Sequence, residues 1–257
     1  MHKLEPGVYC QHSSEFSLEN CRAAFETLRT GEGEKQFLKQ GTRRKTYVQL
    51  LPVDNEERPI LVKEYFETDI WGVMKNWIRT HPSRRAWTAV NRALERCVPT
   101  AKPCALIEMP NAHSAYFLSE YLEGWERVDL RIKNQCPDPT NQEHRQMRRK
   151  LLDALAIQVR AFHDSGVYQP DFIGGNILVN YDEKGQWHVA FVDLDAARFP
   201  TALNLALRFK CLSRLNASMA PYLTSTERLK GLQIYAGDDT AFSNRAAIEN
   251  ILSFKRV

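Results

Sequence analysis

The sequence predicts a mixed α+β protein in which a β-rich N-terminal part precedes a mainly helical C-terminal part. Runs rich in β-branched and aromatic residues indicate strands; they cover residues 46–51, 59–65, 105–109 and 115–122. Apolar residues at helical spacing indicate helices; they cover 140–163, 201–232 and 240–254. Because the character changes near residues 120–124, we expect one domain at 1–123 and a second at 124–257.

Composition describes an ordinary soluble globular chain. Of the 257 residues, 43% are hydrophobic and 26% are charged, which is outside the range of disordered proteins. The net charge of +4 is too small to indicate a nucleic-acid partner but suits an anionic substrate or membrane surface. We therefore expect no nucleic acid.

The cysteine and hydropathy patterns predict a cytoplasmic protein. Six cysteines lie far apart without a C-x-x-C pair, which favours reduced, structural thiols. The N-terminus has no apolar signal segment, and no window approaches the roughly 20 apolar residues of a membrane helix.

The N-terminal part predicts a helix at 16–30, a hairpin and a second helix. The turn at 54–57 joins two strands and places Lys63 near the end of the second strand. The helix from Ser83 to Arg96 is predicted to be capped by Ser83. The sequence thus predicts a β-rich N-terminal half with Lys63 on its hairpin.

The sharpest signal lies within residues 163–199. Asp171 is followed five residues later by Asn176, across a Phe-Ile-Gly-Gly stretch that disfavours a helix, and then by an apolar strand. A second strand returns after the turn at 182–185 and delivers Asp193 at its end. We expect Asp171, Asn176 and Asp193 to converge.

Phosphoryl transfer requires such a set. A carboxylate orients the attacking hydroxyl, and oxygen ligands hold Mg²⁺ against a triphosphate. The D-x-x-x-x-N spacing followed by a hairpin-borne Asp is typical of the kinase catalytic and metal-binding loops. The sequence thus predicts an ATP-dependent phosphotransferase with a bilobal protein-kinase-like fold, a β-rich N-lobe and a mainly α-helical C-lobe.

Four further features carry weaker signals. Lys63 follows Ile-Leu-Val, where a kinase lysine that contacts ATP phosphates would lie. Gly41 and the neighbouring Arg43 are candidates for a phosphate-covering loop, although a solvated basic turn fits them equally well. His163 ends a helix and is predicted to be structural. The run 148–150, Arg-Arg-Lys, is predicted to be a solvated helix face.

Several motifs together resemble the lipopolysaccharide kinase family, bacterial enzymes that phosphorylate Kdo or heptose sugars of the inner core. The resemblance runs from about residue 41 to 237. It is carried by Val-Lys-Glu-Tyr at 62–65, Ser-Arg-Arg-Ala-Trp at 83–87, Val-Pro-Thr at 98–100, Ser-Glu-Tyr-Leu-Glu-Gly at 119–124, Pro-Asp-Phe-Ile-Gly-Gly-Asn-Ile-Leu-Val at 170–179 and Val-Asp-Leu-Asp at 192–195.

The resemblance implies roles residue by residue. Asp171 would be the catalytic base, and Asn176 and Asp193 would bind Mg²⁺. Lys63 would contact ATP phosphates, and Glu120 and Leu122 would offer backbone groups to adenine.

The chain also departs from the protein-kinase pattern. Gln169-Pro170 replaces the His-Arg before the catalytic Asp, and Asp195 replaces the Gly that ends the metal motif. Ala86 aligns with the acidic residue that would pair with Lys63, so that another carboxylate positions the lysine or the ATP site is assembled differently.

The predicted reaction is transfer of phosphate from Mg·ATP to a sugar hydroxyl of lipid-linked lipopolysaccharide core. Two alternatives stay open: a small-molecule or protein kinase of the same fold, and a catalytically silent kinase-like binding module. No Ala-Pro-Glu segment follows Asp195, which argues against a regulated protein kinase. Peripheral contact with the cytoplasmic face of the inner membrane also stays open.

Overall fold

The computed structural model describes residues 1–66, 80–110, 113–243, 248 and 251. The strands are β1 His2–Glu5, β2 Val8–His12, β3 Lys35–Gln40, β4 Arg44–Val53, β5 Glu56–Phe66, β6 Pro103–Met109, β7 Ser114–Glu120, β8 Glu126–Arg127, β9 Ile177–Tyr181 and β10 Trp187–Phe191. The α-helices are α1 Leu18–Thr30, α2 Pro82–Glu95, α3 Val128–Gln135, α4 Gln142–Asp164, α5 Leu205–Met219, α6 Ser225–Ala236 and α7 Thr240–Ser243. Most of the predicted helix at 240–254 lies outside the described residues.

The chain forms two compact units. One comprises Met1–Asn91 with Ala101–Glu123, and the other comprises Arg92–Thr100 with Gly124–Val257. The first contains all seven strands of the large sheet, and the second contains most of the helices. The predicted mixed α+β class, with a β-rich N-terminal part and a mainly helical C-terminal part, is therefore confirmed.

The first unit is built on an antiparallel sheet with the order β1-β2-β6-β7-β5-β4-β3. The predicted hairpin is β4 and β5, whose ten residue pairs run from Arg44↔Tyr65 to Val53↔Glu56. Its turn residues Asp54 and Asn55 both have positive φ, the left-handed conformation that Asp and Asn tolerate best among residues with a Cβ.

Helix α1 covers one face of this sheet. The helix begins after Ser17, whose hydroxyl accepts a hydrogen bond from the N–H of Asn20, and it ends at Gly31 in the left-handed conformation. Its buried side chains pack with Tyr47 and Val62 of the central hairpin. The helix predicted from residue 16 is thus shortened by its cap.

Helix α2 begins at Pro82, so the prediction that Ser83 caps it is wrong. Proline suits the first helical position because that position has no intrahelical partner for an N–H. Ser83 instead lies fully buried in the first turn, with its Oγ 2.6 Å from Nδ1 of His81.

In the second unit, α4 buries the predicted apolar stripe and a three-stranded sheet has the order β10-β9-β8. The segment predicted as helical at 201–232 is two helices, because Thr224 and Glu227 form a capping box that starts α6 anew.

Two further features concern the cysteines and the helices. All six cysteines lie in the described part of the chain and are free. Among the described residues, no helix is long and apolar enough to cross a membrane.

The basic run 148–150 on α4 was predicted to be a solvated face. That prediction is wrong for Arg148, which is only 1% exposed. Its Nε and Nη2 bond both carboxylate oxygens of Glu227, at 2.6 and 2.7 Å. The guanidinium also donates to the carbonyls of Cys136 and Tyr222. Arg149 is exposed, so only one member of the run turns inward. Arg148 therefore joins α4 to α6 and to the loop after α3.

Replacement of Arg148 by Met should lower the free energy of unfolding by about 3 kcal/mol, because it leaves a half-buried carboxylate and two carbonyls without their donor. Arg149→Met, one residue along the same helix, is the matched control and should change it by less than about 0.5 kcal/mol. Urea unfolding of the two variants measures both values. Equal losses would show that Arg148 has no special structural role.

Candidate active site

The catalytic-loop prediction falls on an irregular segment that ends in a single 3₁₀ turn, Gly174–Asn176, before β9. Nδ2 of Asn176 donates to the main-chain carbonyl of Asp171 at 2.9 Å and to its Oδ2 at 3.3 Å. The Asp171 side chain is exposed. Asp171 and Asn176 are thus in direct contact, and the Asn176 amide orients the Asp171 carboxylate.

The third residue, Asp193, follows β10 and is joined to this loop through the backbone. The N–H of Val192 donates to the carbonyl of Asn176 at 2.9 Å, extending the β9–β10 pairing by one bond. Asp193 is half-buried and left-handed, with φ 58° and ψ 44°. The second unit therefore brings the loops of all three predicted residues together.

Helix α5 contacts the loop that carries Asp171 and Asn176. The thiol of Cys211 contacts the carbonyl of Gln169 at 3.5 Å, Nη1 of Arg214 donates to the carbonyl of Pro170, and Oγ of Ser218 accepts from the N–H of Gly174 at 3.0 Å. The spacing of these side chains, three and then four residues, places them on one helix face. That spacing is visible in the sequence, but nothing there indicates that the face meets a loop.

Two glycines in the loop lie close to neighbouring side chains. A Cβ on Gly174 would lie 2.3 Å from Sδ of Met219, and a Cβ on Gly175 would lie 3.0 Å from Nη2 of Arg127. Arg127 is held by two hydrogen bonds to the buried carboxylate of Asp129. The Arg127–Asp129 ion pair thus lies beside the loop that carries Asp171 and Asn176, with the guanidinium half-exposed, a feature that the sequence did not indicate.

Gly174→Ala should lower the free energy of unfolding by about 1 to 3 kcal/mol, because the new methyl group overlaps the thioether of Met219. Gly231→Ala is the control with the opposite sign: its Cβ meets nothing within 4 Å, and it should stabilise α6 by up to about 1 kcal/mol. Adding Met219→Ala should relieve part of the Gly174→Ala penalty in a thermodynamic double-mutant cycle. Strictly additive losses would contradict the proposed clash.

In the first unit, Lys63 lies on β5 between Thr46 of β4 and Phe117 of β7. Its neighbour Val62 faces α1, and because successive strand residues alternate, Lys63 points to the other face of the sheet. The side chain is 7% exposed. Ala86, on α2, is fully buried, so that position belongs to the core and presents no polar group.

The predicted adenine-contacting residues lie at the end of β7. The N–H of Glu120 donates to the carbonyl of Lys102 at 2.8 Å, and Oε2 of Glu120 accepts from the N–H of Lys102 at 3.4 Å. Leu122 is half-buried two residues later, outside any strand. This backbone leaves the sheet as irregular chain that can offer polar groups to a ligand.

Gly41 and Arg43 lie in the turn between β3 and β4, a hairpin whose first strand the sequence did not predict. The N–H of Gly41 donates to the carbonyl of Arg44 at 2.9 Å, and the carbonyl of Arg43 accepts from the N–H of Phe66 at 3.2 Å. Both turn residues are exposed. The Gly41 hydrogen bond therefore closes the β3–β4 turn, and the Arg43 hydrogen bond joins this turn to β5.

Comparison with known proteins decides the family. The lipopolysaccharide kinase (Kdo/WaaP) family matches residues 37–235, which include every predicted site residue. The chain belongs to this family.

Comparison with solved structures identifies the fold. The structure titled "WaaP in complex with acyl carrier protein" is similar over 95% of this chain and 98% of that one, at 20% identity and a TM-score of 0.64. The fold of this lipopolysaccharide kinase family member is therefore protein-kinase-like, as predicted. No curated protein matches the chain.

The residues proposed to hold Mg²⁺ fit that ion by their chemistry. Asn176 and Asp193 provide hard oxygen donors, and Mg²⁺ in phosphotransferases is held by one or two such side chains together with substrate phosphates. Nδ2 of Asn176 donates to Asp171, and this bond sets the orientation of the carboxamide. The Oδ1 atom of the same carboxamide therefore points away from Asp171. Among the described residues, no three His, Cys, Asp or Glu form a metal-binding group.

His163 is structural, because it is completely buried beneath the loop that carries Asp171. Its Nδ1 lies 2.9 Å from the hydroxyl of Tyr235, and its ring packs against Phe172, which follows Asp171. Burial, with the nearby charge of Arg208, lowers the pKa of His163 to about 3. The imidazole stays neutral and supports the aromatic cluster beneath the loop.

Acidification should therefore destabilise the protein in part through His163. Below pH 6.5 the unfolded chain binds a proton at this residue that the folded chain binds only near pH 3, so stability is lost as the pH falls through this window. The difference in unfolding free energy between wild type and His163→Gln should change by about 1.4 kcal/mol per pH unit from pH 6 to 4. A constant difference in urea titrations would contradict the buried, neutral imidazole.

Proposed function

We propose that the protein transfers the γ-phosphoryl group of Mg·ATP to a hydroxyl group of a Kdo or heptose sugar in the lipopolysaccharide inner core. The observation that carries this proposal is the contact between Asp171 and Asn176, on a loop bonded to the loop of Asp193. A chain of the lipopolysaccharide kinase family with this arrangement retains the residue types that phosphoryl transfer requires.

Asp171 is proposed to orient the acceptor hydroxyl and accept its proton. Its carboxylate is exposed, so a sugar hydroxyl can reach it, and the Asn176 amide holds one of its oxygens. Because Oδ2 is engaged, the other oxygen is the one aimed at the acceptor. Positioning of this kind is where most of the protein's contribution to phosphoryl transfer lies.

Nucleotide binding is proposed for residues of the first unit. Lys63 would contact the phosphates, and its burial supports this role because burial restricts the side chain to few conformations. Gly41 and Arg43 would approach the phosphates from the β3–β4 turn, whose exposed backbone leaves room for an anion. Backbone groups of Glu120 and Leu122 would bond adenine. Mg²⁺, held by Asn176 and Asp193, would neutralise charge on the phosphates.

The acceptor is proposed to be lipid-linked, so the protein would act at the cytoplasmic face of the inner membrane as a peripheral protein. A family whose members phosphorylate lipopolysaccharide supports this proposal. Arg127, beside Gly175, is paired with Asp129 but half-exposed, and its guanidinium would offer hydrogen-bond donors to an acidic or phosphorylated sugar that approaches Asp171.

Asp171→Asn should lower the turnover of ATP and dephosphorylated core oligosaccharide by at least about 100-fold, the range typical of a lost general base. Formation of ADP and phospho-sugar, followed by mass spectrometry, measures it. Asp138→Asn is the matched control: this exposed turn carboxylate accepts hydrogen bonds from Thr140 and should leave turnover within about twofold of wild type.

Thermal stabilisation by ATP with Mg²⁺ should persist in Asp171→Asn, because the substitution removes the base and not the nucleotide contacts. Full turnover by this variant would refute the role of Asp171. Absence of any Mg·ATP stabilisation in the wild type would favour a catalytically silent module, and transfer to a protein or an aminoglycoside in place of core sugar would refute the acceptor.

A further inference from the structure

Gln169 is a buried amide that contacts the backbone of Asp193. The side chain is 2% exposed, and its Nε2 donates to the main-chain carbonyl of Asp193 at 2.7 Å. In the described part of the chain its Oε1 has no hydrogen-bond partner. Burying an amide with one half unsatisfied costs free energy, and the bond from Nε2 offsets part of that cost.

The Asp193 backbone needs such a donor. A left-handed conformation costs free energy for a residue with a Cβ, although less for Asp and Asn than for other residues, so neighbouring hydrogen bonds help to hold Asp193 in it. Before Asp193, the N–H of Val192 is bonded to Asn176; after it, the carbonyl of Leu194 accepts from the N–H of Ala197. The bond from Gln169 fixes the carbonyl of Asp193 itself, between these two points.

Gln169 is in turn held in place from both sides. Its neighbour Tyr168 exchanges two backbone hydrogen bonds with Arg198, at 2.8 and 2.9 Å. Its own carbonyl contacts the thiol of Cys211 on α5. Burial raises the pKa of Cys211 to about 11, so the thiol keeps the proton that it donates. The amide of Gln169 therefore reaches Asp193 from a fixed backbone.

We propose that Gln169 is a positioning residue that sets the direction of the Asp193 carboxylate by holding the Asp193 carbonyl. The proposal rests on the proposed function, in which that carboxylate binds Mg²⁺. It also accounts for the Gln169-Pro170 departure from the protein-kinase pattern. Glutamine supplies an N–H donor at this position, and the following proline, which lacks an N–H, still offers its carbonyl to Arg214.

The chain contains a matched control in Gln49. This glutamine is 1% exposed, its Nε2 donates to the carbonyl of Glu32 at 2.6 Å, and its Oε1 likewise lacks a partner among the described residues. Gln49→Leu and Gln169→Leu therefore remove the same group from equally buried sites. They should lower the melting temperature similarly, and any effect confined to Gln169→Leu reports on Asp193.

Two measurements separate positioning from stability. Hydrogen exchange of the peptide covering residues 190–198 should be faster in Gln169→Leu than in wild type and unchanged in Gln49→Leu. Mn²⁺ binding, measured by electron paramagnetic resonance with a non-hydrolysable ATP analogue, should weaken about five- to tenfold in Gln169→Leu alone, the factor expected for one lost hydrogen bond. Gln169→His, which keeps an N–H donor, should recover most of the affinity.

Each outcome has a clear meaning. Unchanged exchange at 190–198, or Mn²⁺ binding by Gln169→Leu equal to that of wild type, overturns the positioning role. Equal weakening in the two Leu variants overturns it as well, because the effect would be one of stability. If wild type binds no Mn²⁺ while exchange rises only in Gln169→Leu, the proposed metal role fails but Gln169 still positions the Asp193 backbone.

Discussion

One backbone hydrogen bond, from the N–H of Val192 to the carbonyl of Asn176, joins the two loops on which the proposed chemistry depends. It continues the pairing of β9 with β10, in which Ile177 lies opposite Phe191. The register of this short hairpin therefore decides where Asn176 lies relative to Asp193. A slip of one residue in β9 would turn its buried Ile177 and Val179 to the opposite face, so burial of this strand fixes the register and with it the geometry of the site.

The loops themselves have few regular hydrogen bonds, and neighbouring side chains supply the missing partners. Cys211, Arg214 and Ser218 bond loop backbone from α5. Arg96 does the same elsewhere in the second unit, donating to four carbonyls of residues 165, 166, 199 and 200. Polar groups of irregular backbone must be satisfied in this way when they are buried. Side chains of α5 thus satisfy backbone groups of the loop that carries Asp171 and Asn176.

The features that the sequence predicts well depend on local patterns. Residues 171, 176 and 193 are separated by a short loop and a hairpin, and both leave signals in spacing and alternation. Lys63 was assigned to the correct strand for the same reason. The sequence could not show that Arg148 turns inward while Arg149 does not, because that depends on Glu227, far along the chain. In the sequence, Gln169 stood out only because it departs from the protein-kinase pattern. Its partner is the main-chain carbonyl of Asp193, and no sequence pattern marks a main-chain carbonyl.

The two short N-terminal strands were also beyond the reach of the sequence. β1 and β2 contain polar residues and histidines; β2 pairs with β6, about a hundred residues away, and β1 pairs with β2 at the edge of the sheet. Tertiary pairing, and not local propensity, makes them strands.

We propose that Asn176 and Asp193 hold the metal of Mg·ATP beside Asp171. A crystal structure with Mg²⁺ and a non-hydrolysable ATP analogue tests it most directly. We expect Mg²⁺ bonded to Oδ1 of Asn176 and to the Asp193 carboxylate at about 2.1 Å. A nucleotide-bound metal ligated by neither side chain would contradict it.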